Sequence, residues 1–396
     1  MSKLKDNLVL KLLLAVIIGA LIGMISSPGV MGVVVAIKHI LGQLIFYSIP
    51  LIIIGFIAPS IVKMRANASK MLGITVVIAY ISSIGAAAFS ALAGYAIIPK
   101  LSIGGSVDNL RELPKLVFKL DIPPIMSVMT ALVTAILIGL ATAWTNSDLV
   151  EKLLDQLGEI MLAIVTRVII PILPFFIAST FASLAYEGSI TKHLPVFLIV
   201  ILLVIVGHII WLTLLYAIGG AISKKNPMEV VKHYGPAYLT AVGTMSSAAT
   251  LPVALRCARK SSVLSDEIVD FAIPLCSTIH LCGSVLTEVF FVLTVSQVVY
   301  GTLPPVGSVI QFIILLGIFA IGAPGVPGGT VMASLGLITG ILGFTDAAVA
   351  LVLTIFALQD SFGTACNVTG DGAIALMLMG ICKKNNINVE KEVVVE

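Results

Sequence analysis

Long apolar runs alternate with short polar connections along the chain. The runs cover roughly 8–26, 30–62, 71–99, 123–144, 158–185, 194–222, 266–298 and 346–382. Each reaches the ~20 residues that an α-helix needs to cross a hydrocarbon core. Unbroken runs exclude a transmembrane β-barrel, whose strands alternate polar and apolar positions. Two further apolar stretches are interrupted. Residues 235–257 carry GTMSSAATLP at their centre, and residues 305–344 carry AIGAPGVPGG. Gly, Pro and Ser clusters break a helix, and free backbone groups at membrane depth are tolerated only under protein cover or along a cavity. Both stretches are therefore predicted as re-entrant helical hairpins, each entering and leaving on one side. The pattern predicts an all-α polytopic membrane protein of eight transmembrane helices plus two hairpins.

Composition supports this class. Hydrophobic residues make up 59% of the chain and charged residues 11%, against about 25% charged in soluble proteins. Mean hydropathy is +1.14. The net charge of +3 is spread over loops and argues neither for nor against nucleic acid; the expected partners are membrane lipid and a small molecule, with no nucleic acid. Cys257, Cys276, Cys282, Cys366 and Cys382 lie in or beside apolar runs without CxxC spacing, and neither disulfides nor zinc are expected. The N-terminal run lacks a clear small-x-small cleavage site and reads as an uncleaved first helix.

Basic residues orient the chain. Lys3 and Lys5, Lys63, Arg65 and Lys70, Lys224, Lys225 and Lys232, Arg256, Arg259 and Lys260, and Lys383 and Lys384 all fall inside if the N-terminus is cytoplasmic. The outer connections 27–29, 186–193 and 299–304 then carry Lys192 alone, and the outer loop 100–122 is mixed in charge. This distribution fits eight spans with both termini cytoplasmic, the first hairpin open to the cytoplasm and the second to the outside. The segment 145–157 departs from the rule, being net acidic where an inner loop is expected. Each hairpin precedes a helix predicted to break at a polar motif with glycine, HLCGS at 280–284 and NVTGD at 367–371. Inverted repeats with broken helices at the midplane are a common build of secondary transporters.

The candidate chemistry is concentrated in the last two runs. Asp360, Thr364, Asn367 and Asp371 are spaced 4, 3 and 4 apart, which places them on one helical face. His280, Ser284 and Glu288 repeat every four residues and form a second stripe. Ionisable groups at membrane depth are costly and mark functional sites. Arg167, Lys38 and His39 lie in early runs without polar stripes and read as snorkelling or packing residues. Intramembrane aspartyl proteolysis needs two carboxylates together, whereas Asp360 and Asp371 are about 16 Å apart on a regular helix. HExxH and GxSxG are absent, and no enzymatic activity is expected. Nothing resembles a ring-forming selectivity filter.

With these residues in view, the chain resembles the dicarboxylate/amino acid:cation symporter family, the glutamate-transporter fold. SSAATLPVAL at 246–255 is similar to the serine-rich tip of the family's first hairpin, GAPGVPGG at 322–329 to the tip of its second, and NVTGD to its last-helix motif. The resemblance implies a homotrimer with an elevator mechanism in a prokaryotic inner membrane. It implies a scaffold over 1–66 and 123–190, and a moving transport domain over 67–100 and 191–384. An extracellular loop over 101–122 and a cytoplasmic tail over 385–396 complete the division. By position, Asp360 would bind a substrate amine. Asn367 would bind the α-carboxylate with Ser246, Ser247 and Thr364 and the second tip at Ala323, Gly325, Val326 and Gly328. Asp371, with Asn367, would hold a residual cation.

The departures shape the expectation. His280 and Cys282 stand where sodium-coupled members carry Asn and Asp, and a thiol is a poor ligand for a hard cation. Gly363 stands where the family's side-chain-gripping arginine falls, and Met245 offers no substitute. Glu288 falls where proton-coupled mammalian members carry a proton-accepting glutamate. The resulting expectation is a proton-coupled symporter, driven through Glu288 or His280, for a small amino acid without an acidic side chain. A sodium-coupled dicarboxylate or acidic amino acid symporter is the alternative within transport. A channel or non-transporting membrane component is the alternative outside it. No cofactor is expected beyond H+ or Na+ as coupling ion.

Overall fold

The computed structural model describes residues 8–66, 70–101, 111–188 and 190–385. Every regular element among them is helical. In chain order these are α1 (Leu8–Ile25), α2 (Pro28–Ala66), α3 (Lys70–Ile97), α4 (Val128–Thr145), α5 (Asp148–Ile164), α6 (Ile170–Tyr186), α7 (Ile190–Ser223), α8 (Met228–Val231), α9 (Gly235–Thr244), α10 (Ser247–Ala258), α11 (Asp266–Ile279), α12 (Cys282–Tyr300), α13 (Val306–Gly322), α14 (Gly329–Gly340) and α15 (Asp346–Lys384). A short 3₁₀ turn follows α3, and a π turn over Val165–Ile169 joins α5 to α6.

Six helical stretches are long and apolar enough to cross a membrane: Pro28–Pro59, Lys70–Lys100, Asp148–Glu187, Val196–Ser223, Asp266–Tyr300 and Asp346–Lys384. The first and fourth expected spans appear as shorter apolar helices, Leu10–Ile25 and Val133–Thr145. Lys3, Lys5 and most of the expected tail over 385–396 lie outside the described residues, as do the side chains of Lys63, Arg65 and Lys192.

Burial separates the inner helices from the outer ones. The stretches over Asp266–Tyr300 and Asp346–Lys384 are 94% and 89% buried, whereas Val196–Ser223 is 28% buried. Outer helices turn Ile17, Leu21, Leu137, Leu202 and Ile209 outward, a surface suited to lipid. Lipid removes the hydrophobic drive between helices, so close packing must come from small residues. Gly19 and Gly23 of α1 meet α6 so tightly that a Cβ at either would lie 2.2 Å from the carbonyl of Ala178 or Ala182. α12 packs on α15 and α3, while α15 also packs on α7, α9 and α11. All five cysteines are buried thiols outside any disulfide.

Two expected breaks have different outcomes. The helix does break at His280–Leu281, where both residues leave helical geometry between α11 and α12. NVTGD does not break its helix, because α15 runs continuously from Asp346 to Lys384. Its glycines allow close approach instead. A Cβ at Gly370 would lie 2.9 Å from the His280 ring, and one at Gly372 would lie 2.6 Å from the Tyr216 hydroxyl.

The two Gly/Pro/Ser stretches form helix pairs, α9 with α10 and α13 with α14. Met245 turns the first tip in the left-handed region, φ 53°. Ser246 then caps α10 by accepting the Ala249 N–H at 3.2 Å. The second tip turns at Gly328, φ 71°. A Cβ at Gly329 would sit 2.1 Å from the Pro324 carbonyl, so that position excludes a side chain. At the foot of the first pair, Glu229 accepts from Lys232 and from Ser262, bonds that hold its carboxyl below the usual range.

Candidate functional site

The two tips meet. Ser246 Oγ donates to the Gly325 carbonyl at 2.6 Å. Gly325 packs against the first tip, where a Cβ would make ordinary contact with the Ala248 nitrogen at 3.5 Å. Ser247 is buried directly after Ser246, and Ala323 is buried at the end of α13. Beside the tips lies a crevice of about 370 Å3, whose lining includes Val326, Phe56 of α2, and Asp155 and Glu159 of α5. The segment 145–157 that departed from the charge rule thus supplies one carboxylate lining this crevice, Asp155, and the next turn of α5 adds Glu159. α5 is amphipathic, with Leu154 and Met161 buried.

α15 presents its polar face to these elements. Asp360 is 3% exposed, and its Oδ2 accepts the Gly328 N–H of the second tip at 2.7 Å. Asn367, two turns further along the same face, serves the first turn of α12. Its Oδ1 accepts from the N–H groups of Gly283 at 2.7 Å and Ser284 at 3.2 Å, and its Nδ2 donates to Ser284 Oγ at 2.9 Å. A helix start leaves N–H donors without intrahelical partners, and Asn367 caps this one from across the interface. Thr364 is buried between them. Position 363 faces α12, with a Cβ there 3.5 Å from Ser284.

Asp371 is paired. Its Oδ1 lies 3.0 Å from His280 Nδ1, and His280 Nε2 lies 2.9 Å from Ser82 Oγ of α3. Both ring nitrogens of a residue with 0% exposure are therefore engaged. An imidazolium would donate to both partners; a neutral ring with its hydrogen on Nδ1 would donate to Asp371 and accept from Ser82. The expected stripe of His280, Ser284 and Glu288 does not exist as one helical face, since His280 lies in the extended break before α12. The three turn to different partners. Glu288 Oε1 bonds Ser334 Oγ of α14. No bond joins His280 to Glu288 among the described residues, and a direct proton relay between them has no path here.

Two of the oxygens expected at a residual cation site are thus engaged within the protein, Asp371 Oδ1 by His280 and Asn367 Oδ1 by two N–H groups. No group of three His, Cys, Asp or Glu side chains among the described residues could hold a metal ion. No lysine or arginine among them forms an ion pair with Asp360, Asn367 or Asp371. Arg167 is exposed, and Lys38 and His39 line a separate pocket with Gln43 and Asp346.

Several residues of this region carried little sequence signal. His208 of α7 donates from Nε2 to the Gly283 carbonyl at 3.0 Å, so the Gly283 peptide is held from both sides. A lone ionisable residue in an apolar run was the available clue. Ser82, Ser334 and Gln359 are ordinary polar residues in helices and carry no spacing motif.

Buried carboxylates, a break within an apolar helical stretch and two meeting tips define a polytopic membrane protein with an enclosed polar site, the architecture of a membrane transporter. The comparisons agree. The model of the sodium:dicarboxylate symporter family matches residues 8–381, and the chain belongs to that family. It is similar to excitatory amino acid transporter 5 of Mus musculus, 28% identical over 212 residues, covering 53% of this chain and 37% of the relative. Excitatory amino acid transporter 3 of Bos taurus is 29% identical over 248 residues, 62% of this chain and 46% of the relative. Excitatory amino acid transporter 2 of Homo sapiens is 24% identical over 276 residues, 67% and 47%. The matched regions cover less than half the length of each of these relatives.

Proposed function

We propose that this chain is a cation-coupled secondary active symporter for a small amino acid or dicarboxylate, bound between the two helix-pair tips and α15. The observation that carries this reading is the double closure over Asp360: Gly328 N–H on its carboxylate and Ser246 on Gly325. Displacing the α13–α14 tip breaks both bonds and opens the buried face of α15. Asp360 then takes the substrate amine. The carboxylate is taken by Ser246, Ser247, Thr364 and the backbone of Ala323, Gly325, Val326 and Gly328, with the remaining amide hydrogen of Asn367. In this reading α9–α10 and α13–α14 are re-entrant hairpins, and eight spans surround the site. Helices α3 and α7–α15 move as a transport domain against α1, α2 and α4–α6, in a homotrimer with both termini cytoplasmic.

The names of the family and of the relatives favour sodium-coupled uptake of an acidic amino acid or dicarboxylate over the proton-driven uptake of a neutral one. Two observations keep the second reading. No lysine or arginine among the described residues pairs at the site, and burying an unpaired substrate carboxylate is costly. His280 also occupies Asp371. Uptake of labelled aspartate, succinate and serine into proteoliposomes, under an inward sodium gradient or an inward pH gradient, separates the readings. Concentrative aspartate or succinate uptake on sodium supports the first, and serine uptake on the pH gradient alone supports the second. Flux that only dissipates gradients overturns symport in favour of a channel.

A further inference from the structure

Two buried polar side chains, Glu288 of α12 and Gln359 of α15, carry three atoms that the site as described does not use. Glu288 and Gln359 both have 0% exposure. Among the described residues Glu288 Oε2 has no hydrogen-bond partner, and neither has either amide atom of Gln359.

Their proximity follows from the register of the α12–α15 interface. Gly370 abuts His280 and Cys282, Gly283 abuts Cys366 and the Gly363 carbonyl, and Gly363 abuts Ser284. The helices therefore run antiparallel, and one turn further this register sets Gln359 against Thr287 and Glu288. A buried polar atom left unbonded carries its full desolvation cost, and three on facing turns of the two most enclosed helices call for a shared partner.

The partner must suit a carboxyl in either protonation state. Ser334 Oγ already does, bonded to Glu288 Oε1 and lying 3.1 Å from the Val331 carbonyl. Its one hydrogen can go to the carboxylate. It can instead go to Val331, and the carboxylic acid then donates to Oγ, with no heavy atom moving. Gln359 has the same dual nature, since its Nε2–H favours the carboxylate and its Oε1 accepts from the acid. A water needs two to four polar partners, and Glu288 Oε2 with both Gln359 atoms supplies three. An alkali cation would bind the two oxygens but would face the Nε2–H dipole end-on.

We propose that Gln359 and Glu288 form one proton site bridged by an ordered water, with Gln359 the positioning residue that holds the charged state of Glu288. The proposal rests on the reading that Glu288 carries a coupling proton. The titratable groups around it are Asp360 beside Gln359 on α15, His208 of α7 at Thr287, and His280 two turns away. The tyrosines of α3 are bonded elsewhere, to the carbonyls of Ile314 and Pro304, and α13 and α14 carry none.

The test is the pH profile of substrate exchange in proteoliposomes. Gln359→Met keeps the volume and removes both polar atoms, so the midpoint should move alkaline by about one unit, because donors to the charged form favour it. Gln359→Asn should keep a midpoint near that of the unaltered chain, through the same water. In a Glu288→Gln background, Gln359→Met should shift nothing. An unmoved midpoint in Gln359→Met, with only thermal stability lowered, overturns the proposal. So does a sodium-dependent midpoint that Gln359→Met abolishes, which would identify a cation as the occupant. A Glu288→Gln protein that retains the original profile overturns the underlying proton reading, independently of Gln359. If Gln359→Met does not reach the membrane, infrared difference spectra of the unaltered chain and Gln359→Asn decide. The carboxyl band lost in Glu288→Gln should shift between them, and a band that stays put overturns the proposal.

Discussion

Asp360→Asn abolishes measurable binding of an amine-bearing substrate while leaving the protein folded. The folded state survives because the asparagine carbonyl still accepts the Gly328 N–H that Asp360 accepts at 2.7 Å. The substrate loses a buried ionic partner, and removing one side of such a pair costs about 2–5 kcal/mol. At about 1.4 kcal/mol per tenfold, affinity falls roughly 30-fold to several thousand-fold. Titration calorimetry on detergent-purified protein, beside a thermal melt, reads both halves of the result. Unchanged affinity would remove Asp360 from the site and favour a dicarboxylate, which has no amine to lose.

The second large effect is on stability. His280→Leu leaves the Asp371 carboxylate, at 1% exposure, without its ring partner and strips Ser82 of its cross-helix bond. Breaking a buried pair from one side costs about 3–5 kcal/mol, whereas replacing both partners with apolar residues is often nearly neutral. The double variant His280→Leu with Asp371→Leu should therefore melt closer to the unaltered protein than His280→Leu does. A double variant that melts lower than either single one would show that the pair does not act as a unit. The same measurement in sodium chloride and in choline chloride shows whether Asp371, once freed, recruits an ion from solution.

Much of this arrangement was legible before any coordinates. Asp360, Asn367 and Asp371 announced one face because helical period is strict within a continuous helix, and α15 is continuous. The two tips announced themselves through glycine, proline and serine at positions where an apolar helix has no use for them. The same logic misled at NVTGD. Glycine serves close approach as readily as it serves a break, and only the neighbours of Gly370 and Gly372 tell the two apart. It misled again at His280, where a spacing of four has meaning only if the backbone between is helical.

Other roles had no one-dimensional trace. Asn367 reads as a ligand in sequence, yet its amide caps a helix start more than eighty positions earlier in the chain. Ser82, His208 and Ser334 matter through partners on distant segments, and a lone serine in an apolar run is usually satisfied by its own preceding turn, as Ser183 is by Ser179. The segment 145–157 conflicted with the charge rule because that rule concerns loops, while most of it, Asp155 included, belongs to α5 beside a crevice.

The enclosure of every thiol has a practical meaning for measuring motion. Cys257, Cys276, Cys282, Cys366 and Cys382 are all within 3% of full burial, so the unaltered chain offers water-soluble maleimides no ready target. A cysteine introduced at exposed position 260, at the foot of α10, can then be read against a silent background from either side of the membrane. Pairs introduced across the α2–α14 boundary would report sliding between the two helix groups without first rebuilding a cysteine-free protein. The native thiols become alarms in their turn: labelling at Cys282 or Cys366 would signal that α12 and α15 had parted.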